Sequence, residues 1–134
     1  MVSEMPTADT STPKKRILLV EDEESVRHLA KRFLDILGYE TLEAEDGQSA
    51  LQLFTKKSVP VDLVIADMIM PDMNGRELVK KIREIRPDMK ALYVSGYGAA
   101  DFADNKELGT NEAFTQKPYS LDALQETLSR LLDQ

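Results

Sequence analysis

The chain has 134 residues, enough for one domain with a single core, and its 24 acidic against 17 basic side chains give a formal net charge of −7. That balance argues against the basic surface a nucleic acid or an anionic membrane attracts. The lack of cysteine excludes a disulfide framework and a thiolate metal site, and no apolar run reaches membrane-spanning length or forms the core of a leader peptide, so the expected compartment is the cytoplasm.

Residues 1–15, MVSEMPTADTSTPKK, are Ser/Thr/Pro-rich and nearly devoid of apolar side chains, which predicts a disordered tail or linker before a domain spanning residues 16–134. Arg16 to Val20 reads as a buried strand running into four acids, Glu21 to Glu24. A helix is expected from about Ser25 to Leu37, with Val26, Leu29, Ala30, Phe33 and Leu37 on its inner face and Gly38 at its end. Tyr39 to Ala44 is a second, weaker strand. Asp46-Gly47 then opens a helix that buries Ala50, Leu51 and Phe54 and ends near Lys57.

The third strand, Leu63-Val64-Ile65-Ala66, is apolar on both faces and stops at Asp67. Pro71, Asn74 and Gly75 turn the chain into a helix from about Gly75 to Ile85, with Leu78, Val79 and Ile82 inward and Pro87 beyond its end. Ala91 to Val94 is a fourth strand, ending at Ser95-Gly96. The stretch 97–111 is broken by Gly98, Asp101, Asp104, Asn105 and Gly109 and supports only a short, poorly formed helix. Ala113 to Gln116 is a fifth strand, closed by Lys117-Pro118. The last helix, Ser120 to about Leu132, has a good N-cap and one stripe of Leu121, Leu124, Leu128, Leu131 and Leu132. Strands alternating with helices specify an α/β fold: a doubly wound, five-stranded parallel sheet covered on both faces.

The strand ends carry the chemistry. The first delivers Glu21 and Asp22, the third Asp67, the fourth Ser95 and the fifth Lys117. In an open parallel sheet all of these converge on one crevice. Two carboxylates about 4 Å apart repel by roughly 4 kcal/mol at an effective dielectric near 20. A hard divalent cation such as Mg²⁺ relieves that repulsion, and a lysine and a hydroxyl suit phosphoryl oxygens. The set reads as a phosphoryl-transfer site with Asp67 as nucleophile. Each member alone has an ordinary explanation: helix-terminal acids, a turn serine, a surface lysine. None of these explains why all fall at strand C-termini. His28 is expected to be merely exposed, and Met68, Met70 and Met73 to be packing.

From about Arg16 to Leu132, the segments ILLVEDEE, DLVIADMIMPDMNG, LYVSGY and FTQKP together resemble the receiver (response-regulator) domain of bacterial two-component signalling. The resemblance implies a flavodoxin-like (βα)5 fold with strand order 2-1-3-4-5. It implies that Asp67 is the phospho-acceptor and that Mg²⁺ is held by Asp22, Asp67 and the backbone carbonyl of Ile69, with Glu21 acting through water. Ser95 stands in the position of the switch hydroxyl, Phe114 in that of the switch aromatic and Lys117 in that of the phosphate-pairing lysine, before a cis bond to Pro118. The implied partner is a histidine kinase or histidine phosphotransfer protein. The implied output is the face made by the fourth of five expected helices, the fifth strand and the last helix, on a domain that is monomeric when unphosphorylated. Such a domain is a signalling module that catalyses only its own phosphorylation and dephosphorylation. Ile69, two after Asp67, is apolar and cannot position a hydrolytic water.

Three other readings compete. An FMN site needs a Gly/Ser/Thr-rich first loop, whereas Glu21 to Glu24 repels phosphate. A phosphohydrolase with an aspartyl nucleophile needs an acid where Ile69 stands. A pseudo-receiver serving only protein interaction would not need the full set of acids, hydroxyl and lysine. Only Asp133 and Gln134 follow Leu132, so the expectation is a stand-alone regulator or the receiver end of a hybrid histidine kinase. The SGY and QKPY segments resemble the latter.

Overall fold

The computed structural model describes residues 14–56, 60–96 and 109–133. The expected N-terminal tail, except its last two residues, and the helix expected within 97–111, except its last three positions, lie outside them. The described elements are β1 (Arg16–Val20), α1 (Glu24–Leu37), β2 (Glu40–Ala44), α2 (Gly47–Lys56), β3 (Leu63–Asp67), α3 (Gly75–Ile85), β4 (Lys90–Ser95), β5 (Glu112–Gln116) and α4 (Leu121–Leu132).

The five strands form one parallel sheet in the order β2-β1-β3-β4-β5. Chain order reverses between β1 and β3, which opens the crevice where such sheets bind ligands. Alternation along β1 divides the core. Leu18 and Val20 face one side with Ala50, Phe54, Leu78 and Ile82 from α2 and α3. Ile17 and Leu19 face the other with Ala30, Leu34, Leu124 and Leu128 from α1 and α4. All five residues of β3 are buried, as a central strand covered by helices on both faces requires.

The helix ends follow from local chemistry. At the end of α1, Gly38 takes a left-handed φ of 92°, its amide donates to the Asp35 carbonyl, and the Tyr39 amide donates to that of Leu34. This pair of bonds satisfies carbonyls that the helix leaves open. It also draws Tyr39 out of the expected second strand, which begins at Glu40. Asn74 caps α3 through the Glu77 amide while the Glu77 side chain accepts from the Asn74 amide. Ser120 caps α4 through the Ala123 amide.

The expected inner face of α1 holds at Ala30, Phe33 and Leu37, which lie in or against the core, and needs correction at Leu29. Ala30 and Leu34 are its buried residues, whereas Leu29 is 52% exposed. The helix is rotated so that an i, i+4 pair faces the sheet, and Leu29 falls beside the crevice. The methionines pack: Met70 is buried, and Met68 and Met73 lie against the same core.

Candidate functional site

The crevice is a cleft of about 730 Å³ at the C-terminal edge of the sheet, with Asp67 and Lys117 in its lining and Asp22, Ile69, Pro118 and Tyr119 around them. Strand direction brings Glu21 and Asp22 from β1, Asp67 from β3 and Lys117 from β5 to one end. The oxygens of Glu21, Asp22 and Asp67 lie within 4.8 Å of one another. Glu21 and Asp67 are buried and Asp22 is exposed.

Lys117 joins the two buried acids. Its Nζ donates to Glu21 Oε1 at 3.0 Å and to Asp67 Oδ2 at 3.1 Å. The other Asp67 oxygen, Oδ1, accepts from the Ile69 amide at 3.1 Å. Glu21 also accepts from the Glu23 amide, and its own backbone carbonyl accepts from Arg27. The Lys117 amide donates to the Ser95 carbonyl at 2.7 Å, and the Lys117–Pro118 peptide bond is cis. Burial disfavours the Lys117 charge, but its bonds to Glu21 and Asp67 outweigh this and raise its pKa. Burial drives the Glu21 carboxyl up to about 7, and the neighbouring Asp67 charge adds to the shift that Lys117 opposes. Tyr119 is pushed up to about 12 by burial and by Glu21.

The donor set fits a hard divalent cation. Three carboxylates stand against one lysine, and all available side-chain donors are oxygens. The exposed Asp22 leaves the cluster open towards the cleft.

Ser95 is buried at the end of β4. Phe114 lies elsewhere: it pairs in register with Tyr93 and packs on the α2–α3 side of the sheet, outside the cleft lining. His28 is 59% exposed in its side chain and lies 3.8 Å from Glu24. Two charged residues that sequence reasoning passed over sit on segments that carry the site. Arg27 spans the Glu21 carbonyl and the Glu43 carboxylate. Asp72 accepts from the amides of Gly47 and Gln48. Neither had a signal, because a charged residue on a helix or in a turn reads as solvated.

With this geometry in place, the comparisons with known proteins agree. Residues 17–129 match the family described as response regulator receiver domain, and the chain belongs to that family. Three relatives frame it. It is 38% identical to the sensor kinase CckA of Brucella abortus (strain 2308) over 87% of this chain, which spans only 12% of CckA. It is 30% identical to the response regulator receiver protein CpdR of the same organism, over 88% of this chain and 97% of CpdR. Against sporulation initiation phosphotransferase F of Bacillus subtilis (strain 168) it is 32% identical, over 88% and 94%. Among solved structures, the receiver domain from hybrid histidine kinase CckA superposes with a TM-score of 0.73 at 37% identity, covering 87% of this chain and 98% of that one. The protein is therefore a two-component receiver domain, a signalling module rather than a metabolic enzyme.

Proposed function

We propose that the domain accepts a phosphoryl group on Asp67 from a histidine kinase or histidine phosphotransfer protein. The observation that supports this most directly is Lys117 Nζ, which lies 3.1 Å from Asp67 and 3.0 Å from Glu21 at the cleft floor. A carboxylate of Asp67 attacks phosphorus, a P–O bond forms, and the P–N bond to the donor histidine breaks with the electron pair returning to the imidazole. Lys117 then pairs with a phosphoryl oxygen, and the Ser95 hydroxyl donates to another.

Asp22, Asp67 and the Ile69 carbonyl would hold Mg²⁺, with Glu21 acting through water. Bound there, Mg²⁺ supplies charge neutralisation for the incoming phosphoryl oxygens. Phe114 is assigned to the switch, responding to movement of Ser95 and carrying the change to the face of β5 and α4. We assign residues 1–15 to a linker and the remainder to the receiver. The similarity to CckA favours a place within a hybrid kinase, working in the cytoplasm as a monomer before phosphorylation. No helix among the described residues is long and apolar enough to cross a membrane.

Intact-mass analysis after incubation with acetyl phosphate and Mg²⁺ tests the assignment. One phosphoryl adduct is expected, and Asp67→Asn should abolish it. An undiminished adduct in the variant overturns the role of Asp67.

A further inference from the structure

The loop between β3 and α3 carries the Ile69 carbonyl. Its ends are tied by the Met68 amide to the Val94 carbonyl and by the Gly75 amide to the Met68 carbonyl, at 2.8 and 3.2 Å. At the C-terminal end a Cβ on Gly75 would sit 2.8 Å from the Asp67 carbonyl oxygen, so only glycine allows the chain to pass there. The middle is fastened from outside. Asp72 Oδ1 accepts from the Gly47 amide at 3.1 Å and Oδ2 from the Gln48 amide at 2.9 Å, reaching 25 residues back to the first turn of α2. Beside this bond Met73 occupies the space over Gly47, where a Cβ would lie 2.5 Å from the methionine side chain.

The first turn of α2 does not depend on Asp72 alone. Asp46 Oδ1 accepts from the Ser49 amide at 2.8 Å, a local cap of the ordinary kind. Two carboxylates therefore serve one helix start, and only one of them belongs to the loop of the site. Burial works against the charge of Asp72, but the amides of Gln48 and Gly47 outweigh it and hold the carboxyl below its usual range. A side chain bound through both oxygens holds its own residue to two successive amides of α2.

We infer that Asp72 is a positioning residue for the cation site: by anchoring the middle of the β3–α3 loop to the start of α2, it sets where the Ile69 carbonyl stands relative to Asp67. The inference rests on the reading of the acidic cluster as a Mg²⁺ site. Outer contacts that orient a ligand typically change metal affinity tenfold or more when removed.

Mg²⁺ titration by calorimetry on the full chain tests it, with three variants. Asp72→Ala should weaken Mg²⁺ binding about tenfold. Asp72→Asn, which keeps the shape and one acceptor oxygen, should fall between Asp72→Ala and wild type, and it carries the test alone if Asp72→Ala does not fold. Asp46→Ala removes the same charge from the same helix start without touching the loop, and should leave the affinity within about twofold. Amide spectra of the metal-free protein give a second readout: Ile69 and Met70 should shift in the Asp72 variants and not in Asp46→Ala. Equal weakening by Asp46→Ala, or unchanged affinity in the Asp72 variants, overturns the positioning role while leaving the metal site standing. A wild-type protein that binds no Mg²⁺ overturns the metal reading, and this inference with it.

Discussion

The two ends of the sheet each hold a carboxylate group in a cluster of polar side chains, and they are wired differently. At the C-terminal end, Glu21 and Asp67 share Lys117 beside the exposed Asp22, and burial drives Glu21 up to about 7. At the N-terminal end of β5, Glu112 stands alone among partners. Its Oε1 accepts from Arg83 at 3.1 Å and from the Tyr93 hydroxyl at 2.9 Å, and its Oε2 accepts from the Gly109 amide at 3.0 Å. Burial opposes the Glu112 charge, but those donors outweigh it and hold the carboxyl below its usual range. Tyr93 is pushed up by its burial and by Glu112. Arg83 also binds the carbonyls of Met89 and Asn111, so this cluster ties α3 to the starts of β4 and β5. One cluster is satisfied and holds the fold together. The other sets three carboxylates against one lysine and buries Glu21 at a cost in stability.

The largest expected effect lies at the satisfied end. Glu112→Ala leaves Arg83 and Tyr93 without their shared acceptor and should destabilise the fold by about 3 kcal/mol. That is a fall of about 10 °C in melting temperature for a domain of this size. Calorimetric melting checks it. Because this cluster lies at the opposite end of the sheet, the rise in melting temperature on adding Mg²⁺ should match that of wild type. A variant that loses the Mg²⁺ response as well would show that the two ends are coupled.

A smaller effect is expected at the charged end, and its sign is opposite to that of a paired acid. The folded Glu21 pKa of about 7 lies above its ordinary value of 4.5. Between those values the folded state binds more protons than the unfolded chain, so metal-free stability is greatest below the lower value and falls as pH rises through about 7. We expect a melting temperature about 5 °C lower at pH 8 than at pH 5. Glu21→Gln should flatten this profile. Protons and cation compete for the same acids, so Mg²⁺ should stabilise the protein more at pH 8 than at pH 6. A Mg²⁺ response that does not change with pH would remove Glu21 from the cation site.

The contrast between the ends also explains what the sequence reveals. β3 was legible because Leu63 to Ala66 is continuously apolar, and α4 because its leucines keep one period. Glu21, Asp22, Asp67 and Lys117 could be grouped because each ends a recognisable strand, and parallel strands bring such ends together. The Glu112 cluster was not legible. Its members are spaced 10, 19 and 29 positions apart along the chain, and Arg83 lies on a helix where a basic residue reads as solvated. Asp72 was hidden for a similar reason: in Pro71-Asp72-Met73-Asn74-Gly75 an acid passes for turn chemistry. The inner face of α1 was misjudged at Leu29 because i, i+3, i+4 spacing admits neighbouring stripes. Only contact with the sheet selects Leu34 over Leu29.

The smallest effect concerns how long the charged end would keep the phosphoryl group proposed for Asp67. Ile69 is 55% exposed at the cleft and offers water no hydrogen-bonding atom. Hydrolysis of an aspartyl phosphate needs a water aligned with phosphorus opposite the leaving carboxylate. Ile69→Asn would place an amide where that water can be held. One such bond, at about 1 kcal/mol in the transition state, corresponds to roughly fivefold faster decay. The substitution leaves the Ile69 backbone carbonyl in place, so Mg²⁺ affinity should stay within about twofold, and Ile69→Val should decay like wild type. Loss of the adduct followed by intact mass over time, after removal of the donor, gives the rates directly. Equal decay in all three proteins would mean that the exposed side chain at 69 does not govern access of water, and that the lifetime is set deeper in the cleft by Lys117 and the acids.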